Sequence, residues 1–295
     1  MEQPLVSVIT VTRNRGKLIG RCINSVLNQS YKNIEHIIVD GASDDETDSV
    51  VNGYLDNRLR FIKLDSNWPV VKTFHYGVSL AKGKYITFLD SDDEYVPQKI
   101  EKQVALIESL PEEYGMVYCW MTYFDSSNND SIIRVQKAEL RGKVPIDTLI
   151  KPTVSGTPTF LFKKTIFDEL GGWNEKNPIP TDWELGARYC QRWNVDYVPE
   201  SLVNVYVNHI YERTSTLMRY DRAWLEKRIA MHEYMLKEYC SSYNKRIGSR
   251  WYQYKSLAFF CMKKHDIWKT IKYFFLFCVN IIENWIYERF IKPGK

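Results

Sequence analysis

An apolar run followed at once by three carboxylates stands at Gly83-Lys84-Tyr85-Ile86-Thr87-Phe88-Leu89-Asp90-Ser91-Asp92-Asp93. Its β-branched and aromatic residues predict a buried strand over 85–89. Three carboxylates in four residues repel one another unless a cation or a proton lies between them. Because Mg²⁺ and Mn²⁺ prefer carboxylate oxygen, the pattern indicates a divalent-metal site directly after the strand. A solvated turn or a helix cap before Pro97 is the alternative that the motif alone leaves open.

Short apolar runs and amphipathic patterns alternate through the first hundred residues. Strands are predicted over 5–11, 36–39 and 59–64, and helices over 18–27 and 71–80. This alternation is typical of an α/β fold in which helices cover both faces of a parallel sheet.

Two of the predicted strands end in an aspartate, Asp40 after the second and Asp90 after the fourth. Ligands bind at the carboxyl edge of an open α/β sheet, because its loops and helix N-termini face the crevice there. We therefore expect Asp40 and Asp90 to share one site. Ser43-Asp44-Asp45-Glu46 is expected to form a capping box that opens the following helix.

The pattern is less regular beyond the first hundred residues. It predicts a helix over 97–110, a buried strand over 116–124, a polar loop over 125–130 and a strand over 202–207. Prolines and glycines make 141–180 irregular, and from about Tyr220 the chain is predicted to be helical to its end.

Composition and charge limit the function classes. The chain of 295 residues is 44% hydrophobic and 26% charged, as in an ordinary globular protein. From residue 219 onward 16 Lys and Arg stand against 7 Asp and Glu, but before it 24 stand against 29. An acidic body argues against nucleic acid as a partner. The six scattered cysteines and the start MEQPLVSV favour a reduced, cytoplasmic compartment.

Two common nucleotide-binding motifs are absent from the sequence. No GxGxxG follows the first strand, where Thr12-Arg13-Asn14-Arg15-Gly16-Lys17 stands, and no GxxxxGK[ST] occurs. A dinucleotide-dependent dehydrogenase and a P-loop NTPase therefore lose their main support.

Four segments, in their order and spacing, resemble the inverting glycosyltransferases of family 2, which have the GT-A fold. They are VSVITVTRNR (6–15), SVLNQSY (25–31), IIVDGASD (37–44) and GKYITFLDSDD (83–93), and the resemblance covers about the first 215 residues. It implies a Rossmann-like, mixed but mainly parallel sheet with flanking helices, a nucleotide-sugar-binding half over 1–100, and an acceptor and catalytic half over 101–218. The basic charge and the helical pattern predict a basic, aromatic-rich helical extension over 219–295.

The resemblance implies a UDP-sugar donor and a metal cofactor, Mn²⁺ or Mg²⁺. Asp40 would accept the imide N–H of uracil, Asp90 would lie near the ribose, and Asp92 would hold the metal. His209 would reach the metal or the diphosphate, although a lone histidine after a strand is often structural. The residues expected to bind the nucleotide-sugar are Thr10, Thr12, Asn14, Asp40, Asp90, Ser91, Gly172 and Arg213.

The general base implied by the resemblance is Asp182, within Thr181-Asp182-Trp183-Glu184. It would take the proton from the acceptor hydroxyl as that oxygen attacks the anomeric carbon opposite UDP. Thr181 and Glu184 are expected to form a capping box, which places Asp182 in the first turn of a helix. A first-turn aspartate also stabilises a helix without any catalytic role. The chain departs from the family at Gly41-Ala42 and at Thr181, which affects the expected donor and acceptor contacts.

Two glycines precede this helix, in Gly171-Gly172-Trp173. They resemble the glycine-containing turn of the family, where the backbone comes close to the donor sugar. A double glycine that only ends a helix begun at Lys164 is the alternative. Gln191-Arg192-Trp193 lacks the spacing of the QxxRW motif of processive members, so transfer of single sugars is expected.

The C-terminal segment 263–292 combines aromatic side chains with lysines. Lys272, Asn280, Glu283 and Asn284 interrupt its apolar run, which argues against a spanning helix. The segment suits a helix that lies on anionic lipid at the inner face of the cell membrane. Packing inside a helical subdomain or at a dimer interface is the alternative that the sequence leaves open.

Taken together, the sequence predicts a metal-dependent, inverting, non-processive glycosyltransferase. Its donor would be a UDP-sugar that carries a hexose or an N-acetylhexosamine. Its acceptor would be a saccharide linked to polyprenyl diphosphate, as in O-antigen or capsule synthesis, which rests on analogy with the family alone. A sugar nucleotidyltransferase is a weaker alternative, because its glycine- and lysine-rich loop is missing after the first strand. A catalytically silent saccharide-binding protein or scaffold is also a weaker alternative, because Asp40, Asp90, Asp92 and Asp182 are all present.

Overall fold

The structure is a computed structural model that describes residues 3–144, 156–175, 182–209, 222–240 and 250–286. Within these ranges the strands are β1 (Val6–Thr12), β2 (Ile34–Asp40), β3 (Leu59–Lys63), β4 (Tyr85–Phe88), β5 (Glu94–Tyr95), β6 (Tyr114–Asp125), β7 (Ser131–Gln136), β8 (Leu161–Lys163) and β9 (Asn194–Val207). The helices are α1 (Gly16–Leu27), α2 (Thr47–Asn52), α3 (Val70–Leu80), α4 (Lys99–Ser109), α5 (Lys164–Glu169), α6 (Asp182–Arg192), α7 (Arg222–Cys240), α8 (Arg250–Lys263) and α9 (Ile267–Ile286).

All nine described strands belong to one sheet, with the order β3-β2-β1-β4-β8-β6-β9-β5, and β7 pairs with β6 outside that path. The first four strands of this order are parallel to one another, as are β6 and β9. The pairs β4–β8, β6–β8, β6–β7 and β5–β9 are antiparallel. The predicted α/β fold with a mixed, mainly parallel sheet is confirmed.

The chain divides into two compact units. The first unit comprises 1–144, 154–173 and 192–211, and it contains the sheet. The second unit comprises 145–153, 174–191 and 212–295, and it contains α7, α8 and α9. The finer division at residues 100 and 218 remains a prediction about function.

Helix α1 packs on the sheet through its apolar face. Its side chains at Ile19, Cys22, Ile23 and Val26 are all fully buried, as the helical spacing of apolar residues predicts. Strand β1 is buried almost throughout, because helices cover a parallel sheet on both faces.

The long strand β9 is irregular where it pairs with β6. Cys119 is opposite Val198, but the next residue of β6, Trp120, is opposite Ser201. Pro199 and Glu200 are therefore extra residues on β9 and form a bulge, which is a position where proline is tolerated in a sheet. A second irregularity follows, because Trp120 is opposite Ser201 but Met121 is opposite Val203, which makes Leu202 another extra residue. Together the two irregularities set which residues of β9 lie opposite the end of β6.

Three local predictions differ from the structure. The capping box at 43–46 is wrong, because α2 begins at Thr47 and Glu46 at its N-cap makes no side-chain capping bond. Pro97 precedes the N-cap residue Gln98 of α4 and lies outside its first turn. Strands β5, β7 and β8 were not predicted, and all three are short segments stabilised by pairing with strands distant in sequence or across a hairpin.

Candidate active site

The acidic residues 90–93 form the turn between β4 and β5 at the carboxyl edge of the parallel strands. Asp90 is exposed, whereas Asp92 and Asp93 are buried. One carboxylate oxygen from each of Asp90, Asp92 and Asp93 lies within 4.8 Å of the others. Carboxylates packed so closely favour a bound cation, and oxygen donors suit Mg²⁺ or Mn²⁺. The metal prediction therefore fits the donor set that these residues provide.

A histidine that follows another strand ending at this edge lies beside the cluster. His209 follows β9, and its Nε2 lies 2.9 Å from Asp92 Oδ2. The two side chains are only 5% and 9% exposed, so water competes little for their contact. An imidazole beside carboxylates is also a suitable ligand for Mn²⁺. The structure thus brings together Asp90, Asp92 and His209, which the sequence assigned to one centre.

Three residues that the sequence analysis missed hold the turn in place. Arg21 on α1 donates from Nη2 to the Asp92 carbonyl at 2.9 Å, and its guanidinium lies 3.4 Å from the centre of the Tyr206 ring. The backbone N–H of Tyr206 donates to Asp93 Oδ1 at 3.0 Å. The Tyr206 hydroxyl donates to Glu94 Oε2 at 3.0 Å. One hint of this role was present in the sequence: Arg21 is a charged residue on α1 that directly precedes the buried Cys22.

At the same edge, the end of β1 lies beside the end of β2. Thr12 is opposite Asp40 in the parallel register, and Gly41 N–H donates to the Thr12 carbonyl at 2.9 Å. Asp40 is fully buried and accepts hydrogen bonds from the backbone N–H and the hydroxyl of Ser43. Asp40 at the end of β2 and Asp90 just after β4 therefore share one sheet edge, as predicted. Ser43 donates its hydrogen bonds to Asp40 and does not cap a helix.

Asn14 connects the two loops at this edge. Its backbone N–H donates to Ser43 Oγ at 2.8 Å, and its Oδ1 accepts from Asp44 N–H at 3.1 Å. The hydroxyl of Thr10 lies in the core, 3.0 Å from His36 Nε2. Burial lowers the pKa of His36 to about 3, so this histidine is neutral. Thr12 is 2% exposed, and its hydroxyl has no hydrogen-bond partner among the described residues.

The departure from the family at Gly41-Ala42 has a conformational counterpart. Ala42 has φ +58°, a left-handed conformation in which an L-residue other than glycine is disfavoured. Glycine, the more usual residue of the family there, adopts this conformation without strain. Ala42 therefore carries backbone strain beside Asp40.

The two glycines at 171–172 end α5. Gly171 N–H donates to the Asp168 carbonyl and Gly172 N–H to the Phe167 carbonyl, at 2.9 Å and 3.2 Å, which is the Schellman arrangement. Both have positive φ. A Cβ at Gly172 would lie 2.6 Å from His75 Nε2, so the position is also tightly packed. Helix termination accounts for both glycines, and the contact of Gly172 with a donor sugar stays a prediction.

A buried lysine lies in the same unit, near the acidic turn. Lys99 Nζ donates to Thr87 Oγ1 at 3.0 Å and lies 4.0 Å from the centre of the Tyr95 ring. Thr87 Oγ1 is also 2.8 Å from the Tyr95 hydroxyl, which donates to the Phe88 carbonyl at 2.6 Å. Burial lowers the pKa of Lys99 to about 7. The sequence analysis missed this group, because Lys99 looks like any lysine at the start of a helix.

Asp182 belongs to the second unit, where it is the first residue of α6. This is the first-turn position that the sequence predicts. Glu184 is fully buried, and its two oxygens accept from Arg188 Nε at 2.8 Å and Nη2 at 3.1 Å. Glu184 is thus engaged by a side chain one turn later in the helix. Thr181, its predicted capping partner, and Arg213 lie outside the described residues.

Known proteins with similar sequences are described as glycosyltransferases. The family model described as "Glycosyl transferase family 2" matches residues 7–171. An uncharacterized glycosyltransferase of Rickettsia typhi is 29% identical over 228 residues, which are 75% of this chain and 70% of that protein. TuaG of Bacillus subtilis, whose name refers to teichuronic acid biosynthesis, is 29% identical over 164 residues, which are 55% of this chain and 63% of TuaG.

Among solved structures, the fold is similar to that of S. aureus TarS 1–349 in complex with UDP-GlcNAc. The TM-score is 0.61 at 16% sequence identity, with 96% of this chain and 91% of the TarS chain covered. This likeness confirms the expected GT-A fold. The alternatives of a nucleotidyltransferase and of a silent saccharide-binding protein gain no support from these similarities.

Proposed function

Because the chain belongs to glycosyltransferase family 2, we propose that it moves a hexose or an N-acetylhexosamine from a UDP-sugar to a hydroxyl group of a surface saccharide, with inversion. Membership makes the protein a glycosyltransferase, and the donor, the acceptor and the role of each residue belong to the proposal. The observation that carries it is the cluster of Asp90, Asp92 and Asp93 with His209 at the carboxyl edge of the sheet.

The nucleotide would bind where β1 and β2 end. Thr12 presents a buried hydroxyl that has no partner among the described residues, and such a group gains a hydrogen bond when a polar ligand arrives. Asp40 accepts two hydrogen bonds from Ser43, but a carboxylate has about four acceptor positions, so it can also accept the imide N–H of uracil. TarS, of similar fold, was solved with UDP-GlcNAc, which supports a UDP-sugar as donor.

The metal would be held by Asp92 and His209, with Asp90 at the exposed side of the cluster. When bound, Mn²⁺ or Mg²⁺ would neutralise the negative charge of the leaving diphosphate. Arg21 and Asp93 hold the turn through the Asp92 carbonyl and the Tyr206 N–H, so the carboxylates keep one geometry. Asp90 would also lie near the ribose, and Ser91, which is buried within the turn, would take part in nucleotide-sugar binding.

Asp182 would be the general base. Its place in the first turn of α6 favours the ionised carboxylate, because the helix N-terminus carries partial positive charge. It would accept the proton of the acceptor hydroxyl while that oxygen attacks the anomeric carbon from the face opposite UDP. This geometry inverts the configuration at that carbon.

The acceptor would be a lipid-linked or growing surface saccharide, such as one carried on polyprenyl diphosphate. TuaG supports this class, since its name refers to teichuronic acid biosynthesis. Gln191-Arg192-Trp193 lacks the spacing of QxxRW, which supports the transfer of one sugar at a time.

A ligand screen tests the donor and the metal. Thermal unfolding is measured with UDP, GDP, CDP and dTDP, each with Mn²⁺, Mg²⁺ or EDTA, for the wild-type protein, Asp92→Ala and a control, Asp168→Asn. Asp168 is an exposed carboxylate paired with Lys164 away from the acidic turn. We expect stabilisation by UDP with metal in the wild type and in the control, and none in Asp92→Ala. Stabilisation by a nucleotide other than UDP, or stabilisation by UDP only when EDTA has removed the metal, would contradict the proposal.

A further inference from the structure

Helix α9 presents two different faces. Tyr273 and Asn280 are buried, and Tyr273 packs with residues of α7 and α8 such as Ile229 and Leu257. The Tyr273 hydroxyl also donates to Glu233 of α7. The opposite face carries seven large apolar side chains that are between 47% and 83% exposed, namely Ile267, Trp268, Ile271, Phe274, Phe275, Ile281 and Ile282.

These seven side chains, here called the outer stripe, form one continuous surface. Ile267, Phe274 and Ile281 recur every seven residues, and so do Trp268, Phe275 and Ile282. Seven residues are close to two helical turns, so both series lie on one side of the helix. At 1.5 Å per residue the outer stripe is roughly 22 Å long. Isolated exposed apolar residues are ordinary, but a patch of this size marks an interaction surface.

The alternative of packing inside a helical subdomain therefore applies only to the inner face of α9, the side that carries Tyr273 and Asn280. The inner face already fills the core of the second unit, and the outer stripe lies on the other side of the same helix. None of the helices in the described ranges combines the length and apolarity that crossing a bilayer requires. The stripe thus needs an occupant that covers one face of a helix along its length.

The charged residues of α9 along the outer stripe, 267–282, have one sign. No Asp or Glu occurs from Ile267 to Ile282, whereas Lys269 and Lys272 lie within that range and are exposed. Lys263, at the end of α8, is exposed as well. Asp266, directly before α9, is used at its start, where its Oδ1 accepts from Lys269 N–H at 3.1 Å. Glu233 of α7 lies 3.8 Å from Lys269 Nζ and balances part of that charge. The stripe therefore has a basic border to which α9 itself adds no acidic residue between 267 and 282.

This border distinguishes between two occupants. A second copy of α9 laid on the first would bring more lysines and no carboxylate from the paired range to balance them. Anionic lipid headgroups would balance the lysines, while the acyl boundary would cover the apolar side chains. Trp268, the most exposed residue of the stripe, is of the type enriched at membrane–water interfaces.

We propose that the outer stripe of α9 lies flat on an anionic lipid surface and holds the enzyme there. The interaction joins burial of the apolar side chains to attraction of Lys263, Lys269 and Lys272 by the headgroups. It is independent of the donor and the acceptor, because it uses residues of the second unit that have no part in the proposed chemistry.

Vesicle co-sedimentation of the full chain tests the proposal. Vesicles of phosphatidylcholine alone are compared with vesicles that also contain phosphatidylglycerol, at low and at high salt. Phe274→Gln/Phe275→Gln removes apolar surface from the stripe. The matched control is Ile132→Gln/Ile133→Gln, which removes exposed apolar surface from β7. Lys272→Gln is compared in the same way with Lys227→Gln, an exposed lysine on α7.

We expect binding to the anionic vesicles that weakens in high salt and is roughly tenfold weaker on phosphatidylcholine alone. The Phe variant should lose roughly tenfold or more in affinity and Lys272→Gln about fivefold, and both controls should bind as the wild type does. Trp268→Gln is a second variant, because so exposed a side chain contributes little to folding.

Three results would overturn the proposal. The first is equal binding by the wild type, Phe274→Gln/Phe275→Gln and Trp268→Gln. The second is equal binding to the neutral and the anionic vesicles. The third is a dimer that forms without vesicles and that the Phe substitutions dissociate. The last result, measured by analytical ultracentrifugation, would assign the stripe to a second copy of the chain. Because the nucleotide screen uses no lipid, its failure and the failure of vesicle binding are distinguishable.

Discussion

His209 Nε2 lies 2.9 Å from Asp92 Oδ2, although 117 residues separate them in the chain. The contact joins the end of β9 to the turn that follows β4. It places an imidazole beside a cluster of carboxylates, so two kinds of ligand for a divalent metal converge at one sheet edge.

Replacement of His209 tests this relationship. In His209→Ala we expect the Mn²⁺ concentration needed for half-maximal stabilisation by UDP to rise by about 10- to 100-fold, since the loss of a metal-site partner has effects of that size. Titration of Mn²⁺ at fixed UDP, read as thermal unfolding, measures it. His265→Asn is the control, because His265 is exposed and asparagine tolerates its φ of +62°. An unchanged Mn²⁺ requirement in His209→Ala would exclude the histidine from the metal site.

Arg21 is predicted to position the acidic turn. Arg21→Met removes the hydrogen bond to the Asp92 carbonyl and the contact with the Tyr206 ring. We expect UDP–Mn²⁺ affinity to fall about tenfold and the free energy of unfolding to fall by about 1–3 kcal/mol. Arg21→Lys should recover only part of both, since an ammonium group lacks the planar surface that stacks on the ring. Calorimetric titration and urea unfolding measure the two effects, and full recovery by lysine would show that charge alone suffices.

The two glycines after α5 are predicted to differ in their tolerance of alanine. Gly171→Ala meets no atom within 4 Å and adds only the cost of a left-handed alanine, about 1 kcal/mol. Gly172→Ala adds the same cost and also forces His75 to move, so about 2–3 kcal/mol is expected. Urea unfolding of the two variants compares them directly. Equal losses of stability would mean that the position of His75 is not fixed by Gly172.

Lys99 is predicted to make stability rise with pH. Burial lowers the pKa of Lys99 from 10.5 to about 7, so between these values the unfolded chain binds a proton that the folded chain does not. Relative to Lys99→Met, wild-type stability should increase by up to about 1.4 kcal/mol per pH unit across that window. The difference between the two proteins is used because it cancels the titration of the buried cysteines and tyrosines. Parallel stability curves from pH 7.5 to 9.5 would refute the assignment.

Asp182 and Glu184 are predicted to have separate roles. Glu184→Gln weakens the buried pair with Arg188 and should cost about 1–3 kcal/mol of stability. Asp182→Asn should change stability by less than about 1 kcal/mol, keep UDP binding and abolish transfer to the acceptor. Urea unfolding, UDP titration and product formation separate the two variants. Turnover by Asp182→Asn at the wild-type rate would exclude Asp182 as the base.

The features that could be predicted from the sequence depend on local periodicity. The buried face of α1 follows from apolar spacing, and the shared edge of Asp40 and Asp90 follows from the rule that parallel strands end together. The features that could not be predicted depend on distant partners. Ser43 has the pattern of a helix-capping residue, but its hydroxyl donates to the Asp40 carboxylate and accepts from Asn14 N–H instead of capping α2. Lys99 is buried only because Thr87 and Tyr95 surround it.

The bulge at Pro199 and Glu200 acts as a spacer for contacts that β9 and His209 make up to ten residues further along the chain. Together with the further extra residue Leu202, it sets the register in which Tyr206 N–H meets Asp93 and the imidazole after β9 meets Asp92. One residue more or fewer there would displace the end of the strand by about 3.3 Å and turn its side chains to the opposite face. An insertion or deletion at this solvent-facing bulge would therefore disrupt the contacts with Asp92 and Asp93, even though it leaves both of those residues unchanged.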